Sequence, residues 1–177
     1  GIQEACAEVD NLGGTVLVHK IEHQNAEDVI LAMEKMRMEE VSGIAMVPLD
    51  EERVNRAIDR FVEEFRIQVV TFTSDVEDTK RLCFVGQNGV QCGRAAAGLM
   101  GELTGGKGKV AVISGYSSNT SLSSRVVGFR EEIARKYPGI EIIGPEYCFE
   151  ENGRAREITE GIFKDVPDLD GIYLTSH

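Results

Sequence analysis

Short, continuously apolar runs alternate with amphipathic helical stretches along this sequence, and the alternation predicts an α/β fold built on parallel sheets. The rhythm halts at a polar break over residues 86–89 and then restarts. That predicts two doubly wound lobes, residues 1–88 and 89–177, facing each other across a cleft. Because the strands are apolar throughout, helices should cover both faces of each sheet. Ligands of such folds sit beyond the carboxyl ends of the strands, so the loops at those ends are the place to look for function.

Residues 1–9 read as the later half of a helix that stops near Gly13-Gly14. No start signal precedes it, and residues 173–177 stop just as a strand ends, so the sequence is expected to be a piece of a longer protein. Residues 15–19 form a short strand. A helix follows over 26–39, with Val29, Ile30, Met33 and Met36 on one face, and then an apolar strand over 43–48. Residues 51–65 repeat the helical period through Val54, Ile58, Phe61 and Phe65, and 67–72 make a buried strand. Another apolar strand, 81–85, runs into the break and an Ala-rich helix over 93–103. The second half continues with a strand at 109–114 and a helix near 123–137 carrying Val126, Phe129 and Ile133 inward. A short strand at 141–143, a helix over 154–164 with Ile158 and Ile162, and a strand at 171–175 complete the order.

With 177 residues, 42% of them hydrophobic, the chain has enough apolar material for a real core, and no run is long enough to span a bilayer. The net charge of −11 is spread along the sequence and repels phosphate backbones, so these residues are not expected to bind DNA themselves. The four cysteines show no CxxC or zinc spacing. Cys83 and Cys148 fall in or beside apolar runs, as small buried hydrophobes do, and unpaired thiols fit a cytoplasmic location.

Several patterns point away from catalysis. Gly101–Gly108 approaches a phosphate-binding loop, but Gly108 stands where Ser or Thr should hold magnesium, and a helix precedes where a strand should. His19 and His23 have helical ligand spacing on a strand end and loop, with no carboxylate to match. There is no Gly-x-Ser-x-Gly elbow, and three histidines leave little for a nucleophile–base pair. No catalytic residue, metal or cofactor is expected.

Three positions attract attention on local grounds. Asn88 stands at the mouth of a helix, where unpaired backbone N–H groups can hold a polar ligand group. Arg125 ends a hydroxyl-rich loop after a strand, and its planar fork of donors suits vicinal hydroxyls or a carboxylate; a surface arginine is the alternative. Phe149 lies in a loop between strand and helix, either closing the core or offering a platform for a sugar ring.

Taken together, these residues resemble the effector-binding core of the LacI-type bacterial transcriptional regulators and the related sugar-binding proteins. The Val85-Gly86-x-Asn88 element precedes Gly93 by the same interval as the family's hinge, and Arg125-x-x-Gly128-Phe129 resembles its Arg-x-x-Gly-Phe motif. The resemblance implies a type I periplasmic-binding-protein-like fold, here incomplete, with Ser74, Asp75, Asn88, Arg125, Phe149 and Ser176 on the ligand. Two departures stand out: Asn88 replaces the usual Asp, and Ser176 the usual Asn. The resemblance further implies a small-molecule effector such as a sugar, homodimers, no membrane partner, and operator DNA bound only through a headpiece outside this sequence. Met33, Met36 and Met38 with Val29 and Ile30 look like a surplus of apolar helix surface, consistent with pairing. The same fold also serves extracytoplasmic solute-binding proteins of ABC transporters, the alternative function.

Overall fold

The computed structural model describes residues 2–21, 23 and 25–175. The elements, in order, are α1 (Ile2–Asn11), α2 (Ala26–Met38), β1 (Gly43–Met46), α3 (Glu52–Glu63), β2 (Gln68–Phe72), β3 (Cys83–Val85), α4 (Gly89–Leu103), β4 (Lys107–Ser114), α5 (Thr120–Lys136), β5 (Gly139–Tyr147), α6 (Asn152–Asp165) and β6 (Gly171–Leu174). They form two separate three-stranded sheets, β1-β2-β3 and β5-β4-β6, and every strand pair is parallel. The α/β class with parallel sheets read from the sequence is the class observed.

In the first lobe the helical stripes do what their spacing requires. Val29 and Met33 of α2 and Val54, Ala57, Ile58 and Phe61 of α3 pack with Ile44 and Val69 of the strands in one core. Asn25 accepts a hydrogen bond from the Asp28 amide (2.8 Å) and so caps α2. Acidic Glu27 and Asp28 in its first turn and basic Lys35 and Arg37 in its last complement the helix dipole.

In the second lobe β4 lies in the middle of its sheet, and its alternation divides the core in two. Val110 and Val112 pack with Ala97, Val126, Phe129 and Ile133, from α4 and α5. Ala111 and Ile113 point the other way, onto Cys148 and Ile162 of the α6 side. The helices α4 and α5 touch backbone to backbone: a β-carbon on Gly93 would collide with the Arg125 carbonyl, and one on Gly128 with the Val90 carbonyl.

Four differences from the sequence reading have physical causes. Residues 15–19 are extended but pair with no described strand; Val16, Leu17 and Val18 remain exposed, and a groove of about 780 Å³ separates them and α1 from β1 and β2. The second sheet is covered on both faces, whereas Gly43 and Ala45 leave one face of the first open to that groove among the described residues. The helices α4 and α5 start three or four residues early because Asn88 and Asn119, not the later residues, supply the caps. Strand β5 continues through Gly144-Pro145, where its register on β4 shifts; it is an edge strand, and a proline is tolerated there.

The expected apolar surplus of α2 is also smaller than its sequence suggests. Val29 and Met33 are buried and Ile30 and Met36 pack on the same core, which leaves only Met38 of that set well exposed. Cys148 is buried as expected, but Cys83 is exposed because β3 is the sheet edge. The glycine-rich stretch after α4 is a helix-to-strand turn, with positive φ at Gly105, Gly106 and Gly108.

Candidate ligand site between the lobes

The loops that follow β1, β2 and β3 meet the N-terminal end of α5 across the two lobes. Between them lies a cleft of about 810 Å³, lined on one side by Thr73, Asp75 and Glu77 and on the other by Asn88, Thr120 and Ser124. The lobes also touch directly. The Asp50 amide donates to the Ser118 carbonyl (3.0 Å), and the Ser74 hydroxyl donates to Asn119 Oδ1 (2.7 Å). The Thr120 hydroxyl both accepts from the Asp75 amide (2.8 Å) and donates to the Asp75 carbonyl (2.6 Å).

All the expected ligand residues but Ser176 have a defined place. Ser74 is buried, and its hydroxyl is engaged with Asn119. Asp75 lines the cleft, but its carboxylate faces Arg81, which donates through Nε and Nη2 (2.6 Å for the latter), while Thr71 donates from its hydroxyl at 2.9 Å. Burial alone would raise the Asp75 pKa, yet the hydrogen bonds from Arg81 and Thr71 prevail and hold it below the ordinary carboxylate value. Asn88 also lines the cleft; its Oδ1 accepts from the Gln91 amide (3.0 Å), so one acceptor is engaged as a helix cap. Ser176 lies outside the described residues.

Arg125 sits in the second turn of α5. Its Nη1 donates to the Thr175 carbonyl (2.7 Å) and its Nη2 reaches Gln87 Oε1 (3.4 Å), next to Asn88. Its Nε is buried without a partner among the described residues, a donor that a ligand acceptor would satisfy. The Thr175 hydroxyl donates to Ser114 Oγ (2.8 Å), tying the ends of β4 and β6 together beneath it. Phe149, 40% exposed, follows β5; its ring lies 5.4 Å from that of Tyr116 and under the Arg154 guanidinium at 4.8 Å. Its φ is +54°, and Thr73 and Glu150 on the same carboxyl-end loops are also positive. Non-glycine residues held there store strain, which tends to collect at ligand sites.

The expectation that Asn88, Arg125 and Phe149 line one cavity is not met by this cleft. Asn88 lines it, Arg125 approaches through Gln87, and Phe149 belongs to the carboxyl edge of the second sheet beside Tyr116. Sequence reasoning passed over Thr73, Gln87 and Tyr116, which carry no local signature. It also passed over Asn119 as a cap, although Asn before a helix is a readable signal.

Nothing in the site resembles a metal centre. Among the described residues no three His, Cys, Asp or Glu side chains converge, and His19 Nε2 instead meets Glu39 Oε2 at 3.1 Å. No described helix is long and apolar enough to cross a membrane.

Two parallel sheets with a cleft at their carboxyl ends define the class of two-lobed α/β ligand receptors, the type I periplasmic-binding-protein-like fold. The sequence matches the periplasmic binding protein domain over residues 1–176, and the chain belongs to that family. No curated protein sequence matches it significantly. Among solved structures it is similar to GanP, a glucose-galactose binding protein from Geobacillus stearothermophilus, with 26% identity and a TM-score of 0.90. That alignment covers 99% of this chain and 62% of GanP. An ABC transporter solute-binding protein from Burkholderia graminis in complex with D-arabinose gives 25% identity and a TM-score of 0.91, covering 98% of this chain and 60% of that one. A third, from Agrobacterium vitis with bound D-fucose, gives 25% and 0.86, with coverage of 97% and 60%. The chain therefore spans about three-fifths of the length of these neighbours. All three are described as binding proteins, so what these comparisons bear out of the LacI-type resemblance is the shared periplasmic-binding-protein fold.

Proposed function

We propose that this chain is the greater part of a two-lobed receptor for a sugar or a similar polyhydroxylated molecule, working as the solute-binding component of an ABC transporter. The observation that carries the reading is the carboxyl edge of the second lobe. Arg125 there keeps a buried Nε without a partner among the described residues, and Phe149 presents a partly exposed ring from a strained loop. Arg125 donates to ligand oxygens, Phe149 covers an apolar ring face, and Asn88 with Ser176 supplies further polar contacts. Ser74 and Asp75 shape the opposing wall. The sugars described for the neighbours support this ligand class, and no residue is assigned a catalytic role.

A second reading, the effector-binding core of a regulator, is favoured by one observation: Cys6, Cys83, Cys92 and Cys148 are all unpaired, as suits a reducing compartment. In that reading the protein is cytoplasmic and homodimeric, and meets operator DNA through a headpiece beyond these residues.

Titration calorimetry against D-galactose, D-arabinose, L-rhamnose and D-fucose tests the ligand class; the expected result is saturable binding of at least one, and heat from none of them overturns it. The gene sequence upstream separates the two readings, a signal peptide supporting transport and a helix-turn-helix supporting regulation.

A further inference from the structure

The polar groups of Ser74 and Asp75, both expected on the ligand, face protein. The loop after β2 reaches across to the start of α5, and three residues there hold it. Asn119 Oδ1 accepts the Ser121 and Leu122 amides as the α5 cap and, in addition, the Ser74 hydroxyl from the other lobe. Ser74 and Asn119 are 1% and 8% exposed, so this bond is shielded from competing water. One residue on, the Thr120 hydroxyl closes a two-bond ring with the backbone of Asp75. The carboxylate of Asp75 is held by Arg81 and Thr71 within its own lobe, so the loop arrives at the contact already rigid. The Asp50–Ser118 backbone bond adds a third tie from the loop after β1.

We propose that Ser74, Asn119 and Thr120 form an interlobe latch, which fixes the angle between the lobes and so sets the fraction of molecules competent to bind, through polar groups that bond to protein across the cleft. The inference deepens the receptor reading and, for its effect on affinity, rests on it. A receptor populated only partly in its competent form binds more weakly in proportion to that fraction. Breaking the latch therefore lowers affinity through the population alone, and Arg125 and Phe149 keep their geometry.

The test compares Thr120→Val, which keeps shape and loses the hydroxyl, with Thr120→Ser, which keeps the hydroxyl, and with Ser74→Ala. Small-angle scattering of the ligand-free protein and amide exchange at Asp75 are the readouts, with circular dichroism to confirm folding. Thr120→Val and Ser74→Ala are expected to increase the radius of gyration. Thr120→Val also speeds Asp75 exchange roughly fivefold, the factor one ordinary hydrogen bond represents. Thr120→Ser behaves as the parent. Unchanged scattering in a folded Thr120→Val protein overturns the latch, even if exchange at Asp75 rises, because the hydroxyl would then order only its own loop. Calorimetry with D-galactose, or whichever panel sugar binds, is a separate arm, in which Thr120→Val should weaken binding by a similar factor. If no sugar binds, the receptor reading fails while the scattering still judges the latch.

Discussion

The two lobes solve the same architectural problem with different material. The second is built on backbone proximity, with Gly93 and Gly128 letting α4 and α5 touch, and its central strand buries side chains on both faces. The first has one core among the described residues, and it stiffens the loop after β2 with the polar brace Thr71–Asp75–Arg81. The consequence shows at the cleft. In the first lobe Ser74 and Asp75 are engaged with protein while Asn55 Oδ1, on the same cleft, is buried with no partner among the described residues; the second lobe keeps Arg125 Nε in that state and adds a partly exposed Phe149 ring. In the proposed receptor the Ser74–Asp75 loop acts as a braced wall, and the second lobe presents Arg125 and Phe149 to the ligand.

The sharpest way to break the contrast is Gly128→Ala. The added methyl group meets the Val90 carbonyl, which a rigid helix cannot withdraw, so about 3 kcal/mol of stability should be lost by urea denaturation. Gly98, half-buried on α4, has open space where a β-carbon would sit, so Gly98→Ala should instead gain about 0.5–1 kcal/mol. Equal effects from the two substitutions would remove helix proximity as the basis of the second lobe.

The brace in the first lobe is tested by Arg81→Ala, which leaves Asp75 partly buried without its cation; both side chains are less than one-fifth exposed. A loss of about 2 kcal/mol at neutral pH is expected, within the range for hydrogen bonds to charged groups. The Asp75 pKa is lower folded than unfolded, so its stabilisation is fully present above the unfolded carboxylate pKa of about 3.9 and disappears as pH falls through the folded value. The stability gap between parent and Arg81→Ala should therefore narrow on acidification below about pH 4, in urea titrations run at several pH values.

Arg125→Ala examines the presenting lobe. Sugar affinity should fall by about 1.5–3 kcal/mol, the scale for a charged donor, while the melting temperature changes little. The reverse pattern, unchanged affinity with lost stability, would make Arg125 only the tie between Thr175 and Gln87. The smallest effect belongs to Asn88→Ala, which removes one cap from α4 at a cost of about 1 kcal/mol; an added loss of sugar binding would show that its carboxamide also reaches the ligand.

Much of the fold was legible because its signals are local. The stripes Val54–Ile58–Phe61 and Val126–Phe129–Ile133 report a helix period, and apolar runs such as Val110–Ile113 report buried parallel strands, whatever the rest of the chain does. The carboxyl-end loops could be located the same way, so Asn88, Arg125 and Phe149 could be nominated from order alone. What local pattern does not contain is the identity of a partner distant in sequence. Residues 15–19 have strand character, yet a ladder requires a neighbour, and none is described beside them. The Ser74 hydroxyl meets a carboxamide 45 positions away, and Arg125 meets the Thr175 carbonyl 50 positions on. Sequence therefore determined which elements form and where their ends point. Tertiary packing decided which polar groups at those ends bond to the protein and which remain free, because a hydrogen bond depends on distances and angles set by the assembled lobes.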